Sequence, residues 1–364
     1  MIRNFLRSLF NNLKLIIFKV GIYVSEYANH LGIIVNFSHN YYKIDKNQYD
    51  FYGIPGFTSP NERSFLYNYI KRLYRGKGDI VELGCAFGSL SVPILKALKE
   101  KKNTTSKLHV YDLFQYHESF GNVLSSSNFK GKIQYGDCFK HIFQYYSEEF
   151  NELLKINKCD LSKTKIFKGS IELLIIDAMK SESLANNIVT FFYPRIKKGS
   201  LIFHQDFCHY HEPWIHIIQY SYRDYFNPIC HIEDTSTYLF KCRKELSEKE
   251  IKGSNIMSLP NEFILKAFDY SMSLVTEQPG NQNILACKIF CFILKHEFRI
   301  ASTLIEKTIN ASKHIEEGNL SFVIKIADSI QGREKEIIEH YRKNKINLID
   351  DLEFITSITY SNTK

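Results

Sequence analysis

Glycines, carboxylates and histidines recur in this sequence at spacings that suit a ligand crevice. Val81-Glu-Leu-Gly-Cys-Ala-Phe-Gly-Ser-Leu90 leaves an apolar run, turns through Gly84 and Gly88, and enters a helical stretch from Leu90 to Lys101. Two glycines there let the backbone approach a ligand closely, and the helix N-terminus offers amide donors to its polar groups. A dinucleotide fingerprint would need a glycine where Ala86 stands, and a P-loop would need Gly-Lys-Ser or Gly-Lys-Thr after the turn. Nicotinamide, flavin and nucleoside triphosphate are therefore disfavoured. Further along, His204, Asp206, His209, His211 and Glu212 fall within nine residues. That cluster is open to two readings: a zinc or iron site, or one imidazole acting on a bound acceptor as base or hydrogen-bond donor, with His209 the choice.

The elements that must position these residues are written in the apolar pattern. Asp79 to Gly84, Leu108 to Asp112, Ile171 to Asp177 and Ser200 to Asp206 are short apolar runs separated by helical stretches. Buried runs alternating with helices predict an α/β, Rossmann-like, doubly wound and mostly parallel sheet. Each run ends in a glycine or a carboxylate, and in such a sheet the crevice lies outside the carboxyl ends of the strands. Upstream, Ser59 or Asn61 is placed to cap a helix over Phe65 to Leu73. From about Leu246 onward the periodicity is helical, with Ile284 to Leu294 and Ile300 to Ile309 reading as an antiparallel hairpin and no repeat at a fixed period. Three parts follow: a helical segment over 1–54, the α/β domain over 55–245 and a helical extension over 246–364.

Over residues 55 to 243 the ordered motifs resemble the class I S-adenosylmethionine-dependent methyltransferases, nearest to the macrocin-type sugar and catechol/caffeoyl-type O-methyltransferases. The resemblance implies S-adenosyl-L-methionine as cofactor, with Glu82, Gly84 and Gly88 around its methionine part. Asp112, ending the second run, takes the place of the carboxylate that accepts both ribose hydroxyls side by side. Asp160 is the choice for the adenine contact, with Asp137 competing. The stretch Asp177-Ala-Met-Lys180 looks like the Asp-x-x-Lys of the catechol type, in which the aspartate ligates a divalent metal and the lysine takes the acceptor's proton. A methyl sulfonium is already an activated electrophile, so alignment and deprotonation are the enzyme's main tasks. Lys180 equally reads as a solvated lysine of a helix's first turn.

Asp206 would complete the resemblance as the second metal ligand. The sugar enzymes, however, carry two adjacent aspartates where this chain has Gln205-Asp206, and a further aspartate where it has Met179. Asp177 and Asp206 completed by water still suffice for Mg2+, so metal dependence is left open. The resemblance makes a hydroxyl of a small molecule, sugar or glycan the leading acceptor. A nucleic-acid acceptor is weakened by the lack of an Asn/Asp-Pro-Pro-aromatic motif after the third run, where Asp177-Ala-Met-Lys180 stands. A non-catalytic binding module on the same fold is the third reading.

Composition agrees with a well-packed globular body. Of 364 residues 44% are hydrophobic and 24% charged, with 28 Phe, 23 Tyr and a single Trp, which rules out disordered and fibrous classes. Eight cysteines without a CxxC pair read as free thiols of a reducing compartment, hence a cytoplasmic location. The net charge of +8 suits an anionic or membrane-surface partner without requiring one. No run reaches the ~18–20 apolar residues of a membrane span. Met1 to Val24 predicts an amphipathic helix, packed either on the body or a partner chain, or attached peripherally to an anionic bilayer. For the helical extension, partner binding, covering the active site and pairing two chains into a homo-oligomer all stay open.

Overall fold

Seven strands form one sheet in the computed structural model, which describes residues 16, 17, 19–24, 50–102, 105–163, 167–253, 255–311, 318–330 and 332. The strands are β1 (Asp79–Leu83), β2 (Leu108–Asp112), β3 (Leu154–Lys158), β4 (Ile171–Ile176), β5 (Ile196–His204), β6 (Phe226–His231) and β7 (Tyr238–Cys242), in the spatial order β3-β2-β1-β4-β5-β7-β6. The first five run parallel, while β7 lies antiparallel between β5 and β6. The expected mostly parallel α/β sheet is thus present. The four apolar runs became β1, β2, β4 and β5, and every residue of β4 is buried, as a central parallel strand requires. The edge strands β3 and β6 each mix polar and apolar residues, which hid them in the sequence pattern.

The helices are α1 (Pro60–Arg72), α2 (Ser91–Glu100), α3 (Phe120–Leu124), α4 (Lys140–Ser147), α5 (Glu182–Phe192), α6 (Pro213–Ser221), α7 (Asn261–Leu274), α8 (Gly280–Leu294), α9 (Phe298–Ala311) and α10 (Asn319–Ile330). Ser59, not Asn61, caps α1: its Oγ accepts from the Glu62 amide at 3.1 Å while the Glu62 carboxylate accepts from the Ser59 amide at 2.6 Å, a complete capping box. The predicted hairpin is present as α8 and α9. Most of the amphipathic helix expected over Met1 to Val24 lies outside the described residues, although residues 19–24 are helical.

The chain sorts into two compact units. One comprises the described parts of Met1–Ala178, Asn187–Asp206 and Asp224–Ile251, and so holds the whole sheet with α1 to α4. The other comprises Met179–Asn186, Phe207–Arg223 and the described parts of Lys252–Lys364. In the first unit a Phe cluster lies under the glycine turn, with Phe87 and Phe139 ring centroids 5.0 Å apart and Phe114 5.5 Å from Phe139 and 5.7 Å from Phe143. These rings fix where the turn can sit, because interiors pack too densely for it to drift. In the second unit α6, α7 and α8 pack together, with His216 and Phe268 ring centroids 4.8 Å apart.

Candidate functional site

The turn between β1 and α2 takes its shape from two glycines and one carboxylate. Gly84 has φ +85° and Gly88 φ +95°, backbone conformations costly for any side chain. A Cβ on Gly84 would stand 2.8 Å from the Asp177 carbonyl at the end of β4, and one on Gly88 would stand 3.2 Å from the Phe143 ring. The glycines therefore also serve close packing of the turn against its own unit. Asp112, at the end of β2, reaches across: its Oδ2 accepts from the Cys85 and Ala86 amides, each at 2.9 Å, and its Oδ1 accepts from the Phe114 amide at 2.6 Å. Burial raises the Asp112 carboxyl above its ordinary value even though those amides favour the charged form. Glu82, in β1, is buried and accepts from the Ser91 hydroxyl at 2.6 Å; burial pushes its carboxyl up to about 8.

At the carboxyl ends of β4 and β5, Asp177 meets Gln205. With its amide nitrogen turned toward the carboxylate, Gln205 donates to Asp177 Oδ1 at 2.7 Å and also to Oδ2, whereas the opposite orientation would set three oxygens against one another. A metal at Asp177 would compete with the Gln205 amide for the carboxylate. Asp206, half-buried, follows directly, and its charge adds to the burial that raises the nearby Glu62 carboxyl. Thr237 donates to Glu62 at 2.6 Å.

Residues 81–207 match the family model described as a methyltransferase domain. They lie on the sheet and turn just described. The segment is similar to methyltransferase domains and lies on a Rossmann-like sheet. Solved structures similar to the chain include the O-methyltransferase NovP, at 14% identity over 50% of this chain and 78% of that one with a TM-score of 0.39. The SAH-bound Podospora anserina methyltransferase PaMTH1 is 12% identical over 51% and 80%, TM-score 0.35. A putative caffeoyl-CoA O-methyltransferase from Staphylococcus aureus is 12% identical over 61% and 98%, TM-score 0.35. No curated protein matches the sequence significantly.

The matched segment holds Asp160 just past β3, near the Asp112 backbone, whose carbonyl accepts from the Cys159 amide at 2.9 Å. The Asp160 side chain is engaged locally: Ser162 and Lys163 hold its carboxyl down at about 2. Asp137 is exposed and accepts from the Gln134 amide at 2.9 Å.

Lys180, His209, His211 and Glu212 belong to the second unit. Glu212 is fully buried and sits between two imidazoles, with His209 Nδ1 2.9 Å from Oε2 and His211 Nε2 2.9 Å from Oε1; the exposed Lys180 ammonium is 3.9 Å from Oε1. Burial alone would raise the Glu212 carboxyl, but the bonds from His209 and His211 outweigh it and hold the group below its ordinary range. The ligand atoms of His209, His211 and Glu212 lie within 4.8 Å of one another, near enough for a metal as well as for the hydrogen bonds they make. Trp214 begins α6 fully buried, and its indole N–H donates to the Met179 carbonyl at 2.6 Å, which places it in the packing of that unit.

Sequence reasoning missed Arg63 and Gln205. Arg63 is buried and donates to the carbonyls of Phe51, Tyr52, Ile54 and Thr58, while Thr58 donates to Ser89 in the glycine turn at 2.9 Å. Only the Thr-Ser-Pro turn before α1 hinted that this segment had a place to hold. Gln205 was noted as a departure from a pattern, and its pairing with Asp177 depends on the β4–β5 register, which no local signal reveals.

Proposed function

We propose that the domain binds S-adenosylmethionine on the Gly84–Gly88 turn and transfers its methyl group to a hydroxyl of a small molecule, sugar or glycan. The observation that carries this reading is the Asp112 carboxylate bonded to the turn amides of Cys85 and Ala86, which pre-forms a ligand loop at the carboxyl end of β1. A carboxylate offers about four lone-pair sites. Oδ1 carries one amide, so its second lone pair is the one a ribose hydroxyl would use. Glu82 supports the loop through Ser91, and Asp160 faces adenine in this reading once its local bonds yield. The sugar-type motifs in the sequence, and the names of similar structures such as NovP, support the hydroxyl acceptor.

For the proton, His209 is the preferred base over Lys180. Its Nδ1 faces the buried Glu212 carboxylate at 2.9 Å, which fixes the tautomer with Nε2 as the basic nitrogen. Asp177, paired to Gln205, and Asp206 then act as fixed charges and no step runs through a metal. Incubation with methyl-labelled S-adenosylmethionine and a panel of sugars and catechols tests the reading. Label should enter a hydroxyl acceptor and transfer should persist in excess EDTA, whereas activity lost to EDTA and restored by Mg2+ would return the metal to the mechanism. His209→Ala should lower turnover by ~10²–10⁴-fold with cofactor affinity intact. A loss seen instead in Lys180→Met would make the lysine the base.

A further inference from the structure

The first unit has a second concavity, unrelated to the methyl-transfer reading. A cavity of about 470 Å³ opens at the amino end of the central strands, where Gly78 precedes β1 and Ser200 lies in β5. The five residues of β1, roughly 17 Å of strand, separate it from the Gly84 turn. Six cations line it: Lys19, Arg75, Lys77, Lys197, Lys198 and Lys241. Its lining carboxylate, Glu172, is 8% exposed and committed to backbone, accepting from the Arg75 and Lys77 amides at 2.5 Å each. From outside the lining, Glu245 pairs with Lys197 at 3.2 Å. Positive charge gathered along a concave wall focuses the field and favours an anion.

The neighbouring helical residues add a second observation. Ile22 is buried against the unit, and the Lys241 ammonium stands 5.2 Å from the Tyr23 ring centroid, fastening the helix beside β7. Facing outward are Ile16 at 56%, Val20 at 51%, Tyr23 at 54% and Val24 at 47% exposure. Their spacing of four, three and one places them on one helical face, an apolar stripe next to a basic cavity. Apolar side chains that reach the acyl boundary, flanked by cations that meet phosphate, are the combination that holds an interfacial helix on an anionic bilayer.

We infer that this end of the first unit docks on an anionic membrane surface, the helical stripe entering the interface and a lipid phosphate seated among the cavity lysines. Co-sedimentation of the full chain tests this with vesicles of phosphatidylcholine alone and of phosphatidylcholine with about one-third phosphatidylserine. The chain should pellet with the anionic vesicles only, and release as salt rises. The double variant Lys197→Glu/Lys198→Glu should weaken partitioning by at least roughly 30-fold, and Val20→Asp should weaken it while leaving the cavity charge intact. Circular dichroism and melting temperature identify folded variants, and the conservative Lys197→Arg/Lys198→Arg should retain binding. Equal pelleting with neutral and anionic vesicles, no pelleting, or full binding by the charge-reversed variant would each overturn the inference. Inorganic phosphate titrated by calorimetry separates the sources: charge-sensitive phosphate binding without vesicle binding would make the cavity a soluble-phosphate site and also overturn the membrane assignment.

Discussion

At the residue scale the domain concentrates its electrostatic cost in a few buried carboxyls. Glu82 is held up at about 8 by burial, well above the ordinary 4.5 of an exposed glutamate. A carboxyl raised on folding stabilises the protein most below its unfolded pKa, and that contribution is lost as pH rises through the folded value. Stability should therefore decline between about pH 4.5 and 8 by ~1.4 kcal/mol per pH unit at most. Glu82→Gln should flatten that slope in urea denaturation series run across this range; an unchanged slope would mean that Glu82 is charged in the folded protein. Gln205→Leu makes a second test, because it leaves the Asp177 carboxylate without its amide donor. A loss of about 1–3 kcal/mol is expected, and no loss would show that the pair contributes nothing to the fold. The residue types of the site were legible because glycine and aspartate at strand ends have few other reasons to sit there. The pairings were not, since Asp177 with Gln205 and Asp112 with three amides arise only when separate strands come into register.

At the element scale the helix starts and the central strands follow from local chemistry. The Ser59 hydroxyl satisfies the orphan Glu62 amide of α1, so Ser59→Ala should cost about 1 kcal/mol in denaturant unfolding; a wild-type midpoint would mean water replaces the cap without loss. Trp214→Phe keeps an aromatic ring at the start of α6 but leaves the buried Met179 carbonyl without its donor, at a cost of about 1–3 kcal/mol. Four of the five inner strands, β1, β2, β4 and β5, were legible as short, mainly apolar runs because burial on both faces demands them. The edge strands were not, because β3 carries Lys155, Asn157 and Lys158 and β6 carries Asn227 and Pro228, which an edge tolerates and a local pattern reads as loop.

At the scale of the whole molecule, compositional change and spatial grouping divide the chain differently. The helical character begins near Leu246, yet the helices from Lys252 onward share a unit with Met179–Asn186 and Phe207–Arg223, segments embedded in the α/β stretch. Within that unit Tyr220 and Phe263 ring centroids lie 5.3 Å apart, and Glu182 accepts from the Ile256 amide at 2.7 Å. A chain ending at Ile251 should therefore expose the apolar side of α6 and aggregate in size-exclusion chromatography; a monodisperse, cooperatively melting product would show that the extension is dispensable for folding. Such contacts between distant segments carry no signature in the sequence around either partner. Cofactor binding on the turn that Asp112 organises is measured by isothermal titration of S-adenosylmethionine into the full chain and into Asp112→Ala. The full chain should bind and the variant should bind roughly 10- to 100-fold more weakly. Absence of binding by the folded full chain, or an unchanged dissociation constant in the folded variant, would contradict it.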